Sequence, residues 1–447
     1  FSLRSTVHAD GLYPDRERFG VDVLGSAAPY DLADMKIAWF MNWGMLEEPP
    51  QSDVAEYYQL IRLHDDTDPR WDYWPPNWSK VAAVAAANPG AHWLIGNEPD
   101  HGGQDNCKAP EYASKYLKCW KHIKAADPTA KIGAGGIVQA TPLRLIYLGR
   151  VLANMRTLTT TSPLELIDFW HIHEQILCET CPWGAGAPPG LGYLQYSKGC
   201  GYGSDDAADV EVFKGHIRGF VVTENKCNRK DEFVDGMRQF MKDEGFQNTP
   251  LVISEYGVLQ PSDCGYVGDT YEEGNETVKA FMWDSFDFML GSGSDPGVDP
   301  LLGMPDDRDR LVQRWAWYSL NARMSSSDCT YLNSANGSLY DWQDPSVITE
   351  FGVHFRQYTH PWEIEAEEKD AVIVRPMLIG TDPLASSCQY VYSPLVHKKA
   401  AIHYRFTVPN TAQYYLWARA RGLDASHRSF LVSIDGGPAV SDTIPNF

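Results

Sequence analysis

At 447 residues the chain exceeds one ordinary domain and has room for a barrel of roughly 250 residues or more with a smaller module behind it. Its 38 Lys and Arg against 59 Asp and Glu give a formal net charge of −21, which argues against binding a phosphate backbone. No run approaches the roughly 18 consecutive apolar residues of a membrane span, so neither nucleic acid nor membrane is expected as a partner.

In chain order, a short β-like run at 19–24 is followed by turn-rich sequence, a brief helical segment at 30–35 and an apolar strand at 37–43 that ends on Trp43. Residues 57–64 repeat the pattern and carry Arg62 and His64 near their end. From there strands and amphipathic helices alternate. A helix is predicted over 77–87, a strand at 91–98, a helix over 110–126 with Pro110 at its start, and a strand at 131–138. A helix over 142–155 and a strand at 166–173 follow. After a long Gly/Cys/Pro-rich loop from 178 to about 208 come a helix at 230–244, a strand at 250–257, a second long loop and a helix at 272–290. A last strand near 311–320 carries Trp315 and Trp317, and a last helix spans 347–358. Eight strand-helix units are the count of a closed (β/α)8 barrel, assigned to 1–361.

After 361 the texture changes to short alternating segments separated by turn signals, at 362–367, 371–374, 388–392, 400–408, 413–421 and 429–434. This is the pattern of a β-sandwich. The region 362–447 is therefore expected to be a partial sandwich, too short to be complete.

Nine cysteines, at 107, 119, 178, 181, 200, 227, 264, 329 and 388, lie mostly in predicted loops, which favours disulfides and an extracytoplasmic, secreted protein. The start at Phe1 suggests a trimmed leader. The spacing Cys178-x2-Cys181 with Cys200 and Cys227 leaves a structural zinc open.

Two stretches share one design. Residues 91–100 run apolar into Gly96-Asn97-Glu98-Pro99-Asp100, and Pro99, lacking an amide proton, ends the ladder. Residues 250–257 likewise end in Ser254-Glu255-Tyr256-Gly257. Counting from residue 19 puts Glu98 on the fourth strand and Glu255 on the seventh. Two carboxylates at the C-terminal edge of a parallel barrel are the minimum equipment for cleaving a glycosidic bond.

Asn97-Glu98-Pro99 on strand four with Glu255 on strand seven resembles clan A of the retaining glycoside hydrolases, and in detail is similar to the catalytic-core and family 39-like groups of that clan. The resemblance spans roughly 19–358. It implies that Glu98 is the general acid/base, Glu255 the nucleophile, and that Asn97 holds the hydroxyl beside the anomeric carbon. Arg62, Trp43, His171, His173, Tyr256, Trp315 and Trp317 are the further candidates for contact with the substrate or the carboxylates. An acid must keep its proton near neutral pH, so Glu98 is expected to have a raised pKa and Glu255 to be ionised, accepting hydrogen bonds from Arg62 or a histidine. Residues 362–447 resemble carbohydrate-binding modules of the family 6 and 35 type, through 364–367 and 415–419.

The expectation is a secreted, monomeric, cofactor-free retaining glycosidase acting internally along the chain of a β-linked polysaccharide or on its oligosaccharides. Two alternatives stand beside it. One is a non-catalytic carbohydrate-binding barrel, and the other is a metal-dependent hydrolase using His171 and His173, which share a strand face. Asp100 and His101 follow Glu98 into its loop as subsite candidates, residues 64–68 form an acidic loop open to calcium, and Asn275 and Asn336 head glycosylation sequons.

Overall fold

A computed structural model of the chain describes residues 11–64, 74–177, 185–191, 208–222, 232–260, 262, 267–293, 295–323, 336–359, 372–381, 389–394, 401–404, 429–433 and 440–443. They fall into two compact units, one within 10–361 and the other within 362–447.

The first unit is built on β1 (Phe19–Asp22), β2 (Trp39–Met41), β3 (Glu56–Tyr57), β4 (Gln59–Ile61), β5 (His92–Ile95), β6 (Lys131–Ile137) and β7 (Phe169–Glu174). A small antiparallel hairpin, β8 (Phe220–Val222) and β9 (Glu232–Val234), precedes β10 (Leu251–Tyr256) and β11 (Arg314–Trp317). All neighbours in the main sheet are parallel, in the order β3-β2-β1-β11-β10-β7-β6-β5-β4. Its two edges, β3 and β4, are consecutive in sequence and joined by Tyr58, whose N–H donates to Phe40 O at 2.9 Å. They are halves of one strand, so the sheet closes on itself as the eight-stranded barrel that the pattern predicts.

Inside the barrel, Trp39, Met41, Tyr58, Leu60, Leu94, Phe169, Val252 and Ala316 form one buried cluster, drawn from alternate positions of successive strands. Small residues accommodate the large rings. A Cβ on Gly20 would lie 2.3 Å from the ring of Trp39, and one on Gly133 would lie 2.4 Å from that of Phe169. The larger core lies between barrel and helices.

The helices are α1 (Trp78–Ala87), α2 (Ala109–Ala126), α3 (Pro142–Leu158), α4 (Pro163–Leu166), α5 (Val210–Arg218), α6 (Met237–Asp243), α7 (Tyr271–Leu290) and α8 (Glu350–Thr359). Local chemistry sets their ends. Asn77 caps α1 by accepting from the amides of Ser79 and Lys80, Pro110 sits in the first turn of α2, and Gly291 closes α7 in the left-handed region. Two departures from the predicted elements stand out. The segment read as one helix at 230–244 is β9 followed by α6, and α5, unforeseen, is started by Asp209 accepting from Glu211 and Val212.

Both sequon asparagines are interior. Asn275 donates to Glu350 Oε1 at 2.6 Å and accepts from the hydroxyl of Ser262, to which Asn336 donates at 2.7 Å. They form a buried polar network closing the seventh and eighth strand-helix connections, which removes them as glycan acceptors.

The second unit contributes three antiparallel pairs: β12 (Val372–Val374) with β15 (Ala401–His403), β13 (Leu378–Thr381) with β14 (Gln389–Tyr392), and β16 (Ser429–Val432) with β17 (Val440–Thr443). The segments 362–367 and 413–421 lie outside the described residues. So do Cys178, Cys181, Cys200, Cys227, Cys264, Cys329 and Cys388, and residues 65–68 of the acidic loop.

Candidate active site

The carboxylates of Glu98 and Glu255 meet at the C-terminal mouth of the barrel, and neither follows from strand alternation. On β10, Val252 faces the interior cluster and Ile253 the helices. Ile253 pairs with Ile172 and Glu255 with the very next residue, His173, so two residues of β10 stand against one of β7. That bulge lets Ser254 meet His171 and Glu255 meet His173, and turns Tyr256 outward onto Phe213, Phe281 and Trp317.

Glu98 is aimed by backbone as well. Gly96 and Glu98 both have positive φ, at 90° and 47°, and the Glu98 N–H donates to Gly136 O at 2.7 Å. Left-handed backbone is uncommon for a residue with a side chain and concentrates at functional sites. Gly136 permits the approach, since a Cβ there would stand 2.8 Å from Gly96 O and from the ring of His171.

His173 completes the centre. Its Nδ1 is 3.2 Å from Glu98 Oε1 and 3.8 Å from Glu255 Oε2, and one ligand atom from each of the three residues lies within 4.8 Å of the others. Glu255 also accepts from Trp43 Nε1 at 3.1 Å and from Gln175 Nε2 at 3.2 Å. His101 Nδ1 lies 3.9 Å from Glu98 Oε2.

The other candidates divide cleanly. Asn97 is buried beside Glu98, held by its N–H donating to Asp105 Oδ2 at 2.7 Å, while its own Oδ1 is buried without a hydrogen-bond partner. Arg62, offered with the histidines as a donor to Glu255, instead supports this loop: it donates to Asp105 Oδ1 at 2.7 Å and Gln104 Oε1 at 2.9 Å. His171 sits deeper in the barrel, with Nδ1 3.0 Å from Ser254 Oγ. His171 is not part of that donor cluster, which speaks against the alternative of a metal held by His171 with His173. Asp100 pairs in the interior with Arg144 and is not open to a ligand.

Trp315, Trp317 and Tyr256 are corrections. All three are fully buried, and the two tryptophans pack on Phe19, Phe286 and Phe281. On β11 the inward positions belong to Arg314 and Ala316, so the tryptophans face the helices and no sugar can stack on them.

Three groups at the mouth were missed. Gln175 follows the double-histidine strand directly, Tyr318 follows β11 and places its ring 5.8 Å from that of Trp43, and Asp22 ends β1. The signal available for each was only its position at the end of a counted strand. Asp22 is completely buried with neither carboxylate oxygen hydrogen-bonded. Burial, and then the charge of Glu255, push its carboxyl well above the usual range.

The electrostatics reverse the expected directions: Glu98, expected to be raised, is lowered, and Glu255 is raised. Burial would raise Glu98, but the hydrogen bond and charge of His173, helped by His101 and Arg144, hold its carboxyl below the ordinary value. Glu255 is raised by burial, with Glu98 adding to this and His173, Trp43 and Gln175 opposing it. Burial works against a charged His173, yet Glu255 and Glu98 together hold its pKa up. The imidazole sits 0.6 Å nearer to Glu98 (3.8 minus 3.2 Å), which is why the bond falls to that carboxylate.

No family model matches the chain, and no curated protein matches it. Among solved structures it is similar to a GH128 (subgroup II) endo-beta-1,3-glucanase from Sorangium cellulosum, at 14% identity and a TM-score of 0.42 over 76% of this chain and 97% of that one. A subgroup II enzyme from Pseudomonas viridiflava gives 15% and 0.44 over 76% and 96%. A subgroup I enzyme from Amycolatopsis mediterranei, in complex with laminaritriose, gives 18% and 0.41 over 76% and 98%. Likeness of this degree assigns neither a family nor a substrate to the chain.

Proposed function

We propose that the chain is a retaining glycoside hydrolase that cleaves a β-linked polysaccharide by double displacement, with Glu255 as nucleophile and Glu98 as acid and then base. The observation that carries this reading is the approach of the two carboxylates, with oxygens within 4.8 Å across the barrel mouth. Retaining enzymes hold the pair about 5–5.5 Å apart, whereas inverting enzymes leave about 6.5–9.5 Å for a water. Glu255 attacks the anomeric carbon as the leaving oxygen takes a proton from the Glu98 side, and water then hydrolyses the ester with Glu98 as base. Trp43 and Gln175 fix the Glu255 carboxylate for in-line attack, and Asn97 offers its unpartnered Oδ1 to a sugar hydroxyl.

The test is a screen of wild type and Glu255→Ala against β-1,3- and β-1,4-glucans, mannans, xylans and galactans, reading product lengths by chromatography. Wild type should release oligosaccharides and Glu255→Ala none, while azide should restore turnover of an activated aryl glycoside as the glycosyl azide of inverted configuration. Silence of the wild type on every polymer, with binding retained, would favour a non-catalytic carbohydrate-binding barrel. The compact set of two carboxylates and an imidazole motivates a second reading, metal-assisted hydrolysis, which requires activity to disappear with a chelator and return with a divalent ion. The double-displacement reading requires chelation to change nothing.

A further inference from the structure

We propose that His173 is the proton store of this site: the proton delivered to the leaving oxygen rests on its Nδ1 in the free enzyme and reaches the sugar through Glu98. This rests on the glycosidase reading and adds a third group to it. The carrying observation is geometric. One fully buried imidazole nitrogen stands 3.2 Å from one carboxylate and 3.8 Å from the other, on a strand whose register is fixed by the bulge opposite it.

The surroundings agree. Glu98 faces His173 from the loop after β5, Glu255 from β10 and His171 from its own strand, with Asp100 nearby and neutralised by Arg144. Burial and the neighbouring imidazole lower the pKa of His171, and the basic side chain placed within 4 Å of both carboxylates is His173.

The steps balance. Glu255 Oε bonds to the anomeric carbon as the bond from that carbon to the leaving oxygen breaks. The leaving oxygen takes a proton from Glu98, and Glu98 takes the proton from Nδ1, so the imidazolium becomes neutral imidazole while Glu98 ends as it began, ionised. In the second step water gives its proton to Glu98, which passes it back to Nδ1. Water oxygen bonds to the anomeric carbon and the Glu255 ester bond breaks. Because His173 acts through Glu98, it is a positioning residue for the acid and does not touch sugar.

The experiment uses the full chain and a series of aryl glycosides of falling leaving-group acidity, comparing wild type with His173→Gln. Dinitrophenolate departs without protonation, so kcat/KM on that substrate should stay within about threefold. Poor leaving groups should lose about 10²-fold, the lower end of general-acid catalysis. The basic limb of the pH profile should also move, because it then belongs to Glu98 in place of the histidine. Equal losses across the series with an unmoved limb would overturn the proposal and leave His173 a structural residue. If His173→Gln does not fold, histidine NMR of Glu98→Gln decides: one imidazole should titrate at lower pH than in wild type, and an unchanged set refutes the store. A wild type inactive on every aryl glycoside and polymer would instead sink the glycosidase reading itself.

Discussion

A carboxyl with no hydrogen-bond partner and no contact with solvent is an expensive feature, and Asp22 is one, at the end of β1 beside the candidate nucleophile. It avoids a bare buried charge by staying protonated, for which burial and the charge of Glu255 are the causes. The sign of the linkage follows. In the folded chain Asp22 binds its proton to higher pH than in the unfolded chain, so stability is lost as pH rises above the ordinary carboxylate value of about 4. Asp22→Asn resembles the neutral acid and is free of that loss. Its Tm should exceed that of wild type by about 2 °C or more at pH 7 and converge on it toward pH 4, followed by calorimetry. A gain that does not vary with pH would contradict the protonated assignment.

At the scale of the element, the site depends on two places where regular strand geometry is broken. The bulge in β10 aims Glu255, and the Gly135-Gly136 pair in β6 receives Glu98. Gly136 has φ of 62°, and an added Cβ would press on Gly96 O. Gly136→Ala should therefore cost about 1–2 kcal/mol for the left-handed backbone alone, read by denaturant unfolding. It should also lower kcat about 10²-fold, because Glu98 hangs from the carbonyl of this residue and a displacement of about 1 Å is enough for that loss. A variant destabilised to this degree with unchanged kcat would show that the Glu98 loop is held by other bonds.

At the scale of the molecule, the second unit poses a separate question from the barrel. On β14, Tyr390 and Tyr392 lie on one face, exposed, with ring centroids 5.5 Å apart. Across the ladder Tyr390 meets Gly380, whose missing side chain lets the ring lie flat on the sheet. Two adjacent exposed rings on one strand suit stacking against sugars. If this unit binds polysaccharide, Tyr390→Ala with Tyr392→Ala in the full-length chain should weaken retention on the insoluble polymer about tenfold, the effect of about 1.4 kcal/mol. Turnover of a soluble aryl glycoside should be untouched. Equal retention of variant and parent in a pull-down would remove these tyrosines from any such role.

What the sequence determined by itself is the barrel, its eight units, and the two glutamates on strands four and seven. Each is written in local signals: apolar runs of strand length, caps, prolines and glycines, and a carboxylate where a run stops. The direction in which a side chain points was decided only by the tertiary structure. Strict alternation puts Glu255 on the same face as Ile253, and the bulge that reverses this depends on pairing with β7, some 80 residues away in sequence (Gln175 to Glu255, for instance). Trp315 and Trp317 look like sugar platforms because they end a strand, yet the inward face of β11 belongs to Arg314 and Ala316. The protons were equally illegible. Where the proton rests is set by an imidazole 3.2 Å from Glu98 and 3.8 Å from Glu255, and sub-ångström differences between groups from three strands leave no trace in the order of residues.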